Sequence, residues 1–201
     1  DLDPSLPRYQ APPPTAPNEN ALAEAAEMIV NADFPLLIGG RFGINDRVRK
    51  PLIELLDLTG APAINDRGVY CWPSDHPQNL SGDKGAIREA DVIVCLDPID
   101  INNIMGTYAV RRRSDILEAR DQAPPKIIDI SLNAIDNNSW TAFGGPTPPV
   151  DLQIVCEPMH GLDRLLAAIR MKLKGDEAGH ARIEARKKVL SGRHDALRKA
   201  Q

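Results

Sequence analysis

The residues best placed to do chemistry in this chain form a glycine turn, Gly39-Gly40-Arg41-Phe42-Gly43, which closes an apolar run and leads into a helical pattern. In an open α/β sheet, ligands bind beyond the carboxyl ends of the strands, where bare backbone amides come close to a diphosphate. The spacing here is G-G-x-x-G rather than G-x-G-x-x-G, and Asn65 stands where a ribose-holding acid would follow the next strand. Tight turns that let a helix pack on its strand account for the same glycines, so both readings stand.

The other reactive types give weaker signals. Cys71, Cys95 and Cys156 are odd in number and lack any C-x-x-C spacing, which encodes neither a disulfide framework nor a zinc site. Cys95 and Cys156 each end an apolar run, the setting of a small buried hydrophobe rather than of a nucleophile. His76, His160, His180 and His194 show no ligand pairing within one helix. Arg111-Arg112-Arg113 has the fork geometry for a phosphate, but Asp115, Glu118 and Asp121 beside it point to a solvated cluster. A net charge of -4 gives no reason to expect nucleic acid or an anionic membrane as partner. No apolar run approaches the roughly 20 residues that cross a bilayer, and the cysteine usage fits a reducing cytoplasm.

The elements that must position these residues alternate. Residues 1–17 are proline-rich and read as a linker. Asn18 or Asn20 can cap a helix whose Leu22, Ala25, Ala26 and Ile29 share a face and which ends near Asn31. Apolar runs at 34–38, 61–64, 91–96, 126–130 and 152–156 predict strands. Val48, Leu52, Leu55, Leu56 and Thr59 predict one intervening helical face, and Leu162, Leu165, Leu166 and Ile169 predict another. Strands apolar throughout and separated by helices require cover on both sides. The fold expected is therefore α/β, a doubly wound, mostly parallel sheet of five or six strands, occupying residues 18–173. Two segments break the rhythm. Residues 97–125 form a long connection with a helix predicted around 114–120, and residues 174–201 read as a charged helical linker to a further, C-terminal domain. The tail's sparse apolar positions, Ile183, Val189, Leu190 and Leu197, would bury little, so it is expected to pack on a partner domain or to fray.

As one string, residues 31–82 resemble the central domain of thiamin-diphosphate-dependent enzymes of the acetolactate synthase, benzoylformate decarboxylase and oxalyl-CoA decarboxylase type. The residues that carry the resemblance are the helix at 21–30, Ala32-Asp33-Phe34-Pro35-Leu36-Leu37-Ile38-Gly39-Gly40, Leu55-Leu56-Asp57-Leu58-Thr59-Gly60-Ala61-Pro62 and Pro73-Ser74-Asp75-His76-Pro77-Gln78-Asn79-Leu80-Ser81-Gly82. The strands at 90–96 and 127–131 continue it, to about residue 172. The resemblance implies a structural domain that in some members also holds FAD or ADP. Carried over, that crevice would involve Gly39, Gly40, Asn65, Asp66, Arg67, Gly82 and Asp129. Three positions depart from the pattern. Asp97 stands where FAD-binding relatives usually have glycine, Ser131 replaces a second acid, and Cys156-Glu157 replaces a Gly-Asp pair. A carboxylate at 97 would repel a diphosphate.

The family's G-D-G…N-N metal signature is mimicked by Gly82-Asp83-Lys84 and Asn102-Asn103, but Lys84 puts a cation where the metal should sit. The resemblance thus implies a domain that is not catalytic alone, with no catalytic and no metal residues of its own. Thiamin diphosphate and magnesium would be held by flanking N- and C-terminal domains in a homo-oligomer. The alternative is a stand-alone dinucleotide-binding module for FAD, NAD or ADP.

Overall fold

The computed structural model describes residues 13–44, 46–65, 70–83, 85–101, 124–133 and 150–200. The chain opens on α1, Glu19–Asn31, whose first turn is closed by the Asn18 side chain accepting from the N–H groups of Asn20 and Ala21. Its Leu22, Ala25, Ala26, Ile29 and Val30 are buried. Then follow β1, Pro35–Gly39, a 3-10 turn at Arg41–Ile44, and α2, Arg49–Thr59. Gly60 ends α2 at φ 60°, the left-handed cap that glycine adopts without strain. After β2, Ala63–Asn65, an irregular stretch and the short α3, Ala86–Glu89, return the chain to β3, Val92–Leu96. β4, Lys126–Ser131, and β5, Leu152–Val155, complete the sheet before α4, Pro158–Leu173, and α5, Glu177–Lys199.

All pairings are parallel and the strand order is β2-β1-β3-β4-β5. Every expected strand is present, within a residue or two of its sequence bounds. Successive strand residues face opposite sides of the sheet. Leu37, Val94, Leu96, Ile128, Ile130 and Ile154 meet α1, α2 and α4, whereas Leu36, Ile38, Ile64, Ile93, Cys95 and Ile127 meet Leu80, α3 and Leu190 of α5. The helix expected around 114–120 lies outside the described residues.

α5 packs on the chain itself, with Ile183, Leu190 and His194 buried. Ile183 abuts Gly60, where an added Cβ would come within 2.7 Å of the Ile183 carbonyl. Arg193 binds the carboxylates of Asp83 and Glu89 and lies over the Phe34 ring, 5.8 Å from its centre. His194, buried, shares a 2.7 Å hydrogen bond from Nδ1 to the Asn79 carbonyl.

Candidate functional site

The strand order reverses between β1 and β3, because β1 connects to β2 on one side while β3 leads to β4 on the other. At such a switch point, loops from neighbouring strands diverge and leave a crevice at the carboxyl ends. Register places Gly39 level with both Asn65 and Leu96, so the residues that follow all three strands meet at one rim.

The two glycines are needed there for close approach. A Cβ on Gly39 would lie 2.5 Å from Cys71 Cβ and 2.8 Å from Trp72 Nε1, and one on Gly40 would lie 2.1 Å from the Asp97 carbonyl oxygen. The amides expected to face a diphosphate are spent on the neighbouring strand's exit. Gly40 N–H donates to Leu96 O at 3.0 Å and Arg41 N–H to Asp97 O at 2.9 Å. Cys71 donates its Sγ–H to Gly40 O at 3.0 Å. Of the two readings of this turn, the packing one describes the contacts.

Asn65 is likewise occupied. Its Oδ1 accepts from the N–H groups of Cys71 and Trp72 at 2.8 and 3.2 Å, and its Nδ2 donates to Ser81 Oγ at 3.0 Å. Trp72, buried, donates its indole N–H to Ile64 O at 2.9 Å. Asn65 thus ties the 70–81 segment to the end of β2. Gly82 takes φ 97°, a left-handed turn one residue after Ser81. Asp66 and Arg67 lie outside the described residues.

Asp129, on β4, lies 2% exposed. Its Oδ2 accepts from Gln153 Nε2 at 2.8 Å and from Ser131 Oγ at 3.0 Å, while Oδ1 has no hydrogen-bond partner among the described residues. Burial pushes this carboxyl above its ordinary value, opposed by the Gln153 and Ser131 hydrogen bonds. Asp97 pushes it further up and Arg41 pulls it down. Asp129, Asp97 and Arg41 therefore share one electrostatic neighbourhood. Burial, with Glu157 and Asp129, raises the Cys156 thiol to about 11, which leaves it an inert hydrophobe at neutral pH.

The centre of the cluster is a pair that sequence reasoning half missed. Asp97, at φ 49°, is the non-glycine residue in the left-handed region among those described, a conformation that Asp and Asn tolerate better than other side chains. Its carboxylate is gripped by Arg41, with Nε at 3.2 Å from Oδ2 and Nη2 at 2.6 Å from Oδ1. Asn133 closes the triangle, accepting from Arg41 Nη2 at 2.5 Å and donating from Nδ2 to Pro98 O at 2.7 Å. The Asp97 carboxylate is thus not a lone negative charge but one half of an ion pair with Arg41.

No family model matches the chain. Over 105 residues, 51% of the chain, it is 33% identical to acetolactate synthase of Mycobacterium bovis and, over the same length, to the acetolactate synthase large subunit of Mycobacterium tuberculosis. In solved structures, the fold matches one described as a thiamin diphosphate-dependent enzyme from Mycobacterium smegmatis, with TM-score 0.58 and 21% identity over 84% of this chain. It matches benzoylformate decarboxylase from Polynucleobacter necessarius with TM-score 0.58 and 17% identity over the same share. The chain is similar in sequence to acetolactate synthase over about half its length, and its fold is that of a domain of thiamin-diphosphate-dependent enzymes. It covers only part of them: 16% of each acetolactate synthase, and 31% and 30% of the two structures.

Asp83, the acid of the metal-signature mimic, accepts from Arg193 and from Gly85 N–H. Burial raises its pKa, but these bonds outweigh it and hold the carboxyl below its ordinary value. A guanidinium already stands where a divalent cation would need open oxygens. Asn102 and Asn103 lie outside the described residues, and among the described ones there is no cluster of three His, Cys, Asp or Glu able to hold a metal. The residues at hand do not fit thiamin diphosphate with magnesium. No helix among the described residues is long and apolar enough to cross a membrane.

Proposed function

We propose that this chain is the central, structural domain of a larger thiamin-diphosphate-dependent enzyme of the acetolactate synthase or decarboxylase type, acting on a 2-keto acid or an acyl-CoA in the cytoplasm. The observation that carries the reading is the 33% identity with acetolactate synthase over 105 residues. The same layered parallel sheet in thiamin-enzyme structures supports it. In this reading flanking N- and C-terminal domains hold thiamin diphosphate and magnesium, the assembly is a dimer or tetramer, and the chain is not catalytic alone. Its contribution is a rigid platform, with both sheet faces filled by aliphatic side chains. The rim amides of Gly40 and Arg41 already donate to the carbonyls of Leu96 and Asp97, which favours a platform over a nucleotide site for FAD or ADP.

The test is to purify the chain and supply thiamin diphosphate, magnesium and a 2-keto acid, then to record flavin absorbance and equilibrium dialysis with FAD, ADP and NAD. No turnover and no retained nucleotide are expected. Turnover by the chain alone would overturn the reading. Tight FAD or NAD binding by the isolated chain would favour the stand-alone dinucleotide module instead.

A further inference from the structure

The buried side of α5 runs through Gly179, Ile183, Arg186, Leu190 and His194, three or four residues apart, so these positions form one seam along the helix. Ile183 and Leu190 are its aliphatic anchors. Between them lies a cation. Arg186 Nε, Nη1 and Nη2 are all buried and have no hydrogen-bond partner among the described residues. Asp91 and Asp33 attract this guanidinium from nearby, but the two carboxylate oxygens of Asp91 are taken by the N–H groups of Asp33 and Phe34, at 2.7 and 2.8 Å. Burial and the neighbouring Arg182 outweigh the two acids and hold the Arg186 pKa below its ordinary value. Arg182 Nε and His194 Nε2 are buried without partners as well, so that among the described residues every unsatisfied buried side-chain atom except Asp129 Oδ1 belongs to this one helix. A buried guanidinium without an acceptor opposes docking, and a polar residue set in an apolar seam weakens it. Against this, α5 is fastened by Arg193, whose pairs with Asp83 and Glu89 are only partly buried and so open to screening. We propose that α5 is a releasable strap, which comes off the chain as a unit while the sheet, α1, α2 and α4 stay folded, because its seam is built around an unpaired cation and its hold depends on the Arg193 latch. Release withdraws Leu190 from the cluster it shares with Leu80 and Ile87 and parts Arg193 from Asp83 and Glu89, uncovering that side of the sheet. The open form is a minor population of the folded protein, visible to amide exchange. The inference depends only on α5 and its seam and holds whether or not the chain serves a thiamin enzyme.

The experiment is native-state hydrogen exchange on the full chain, on R186M, which keeps the length of the side chain and removes its charge, and on K188M, which removes a charge from an exposed position of the same helix. In the unaltered chain the amides of α5 between 183 and 194 are expected to exchange together and faster than those of β3 and α4, and faster still in added salt, which screens the latch. R186M should slow exchange in α5 about tenfold by relieving the buried charge, and K188M should leave it unchanged. The proposal fails if α5 in the unaltered chain exchanges no faster than β3 and α4, a result that needs no variant to fold. It fails equally if R186M exchanges in α5 as fast as the unaltered chain or faster, if R186M does not fold, or if K188M slows α5 as much as R186M does. Since no keto acid or nucleotide enters the measurement, these results are independent of the turnover and binding tests above.

Discussion

The two faces of the sheet are built by different means. On one, α1, α2 and α4 lay continuous aliphatic stripes on Leu37, Val94, Ile128 and Ile154, and the charges that join these helices are peripheral pairs such as Arg170–Glu54 and Arg164–Glu19. On the other, the cover is an irregular segment, the four-residue α3 and one edge of α5, and a charged knot centred on Arg193 holds them in place. Burial alone organises the first face. The second needs specific polar partners because its apolar stripe is too narrow to orient a helix.

The difference predicts a graded response to substitution. Leu55→Ala, on the first face, removes a side chain that is 0% exposed and should cost about 2–5 kcal/mol in urea denaturation. A smaller loss would mean that this face is less tightly packed than described. Arg193→Ala should cost about 1–2 kcal/mol, since its pairs are only partly buried. It should also accelerate hydrogen exchange in α5 while leaving α4 protected, and equal acceleration in both helices would erase the distinction.

Acid separates the two ends of the molecule. The folded-state pKa of Asp83 is lowered, so its contribution is present above the ordinary value of 3.8 and is lost as pH falls through the folded value. The stability difference between the unaltered chain and D83N should therefore shrink below that pH. For Asp129 the shift is upward, so its contribution is complete below 3.8 and is lost as pH rises through the raised folded value. The comparison with D129N should move against the unaltered chain over that rise, and parallel pH profiles for the two variants would refute the assignment. The smallest effect expected is for Lys187→Ala, which breaks an exposed i,i+3 pair with Glu184 and should shift stability by less than about 0.5 kcal/mol.

These contrasts track what was legible in the sequence. The strands and the first-face helices announce themselves because their signal is local. Runs such as Val92 to Leu96, or the spacing of Leu52, Leu55 and Leu56, state their burial within a few residues. The candidate rim could be placed, since Gly39, Gly40 and Asn65 do meet there, but its wiring could not. Arg41 and Asp97 are 56 residues apart, and Arg193 and Asp83 are 110 apart, and nothing local marks either pair. The unusual aspartate at 97 was the available clue. Charge at that one position, however, says nothing of the charge opposite it, here Arg41.

α5 has a mechanical consequence. Ile183 belongs to the hydrophobic cluster on one side of the sheet and Leu190 to the cluster on the other, so a single rod is embedded in both. Two otherwise separate aliphatic compartments are thereby bolted through the floor of the molecule. Heating should melt them in one cooperative step, and cutting the rod between its two anchors should split that step in two.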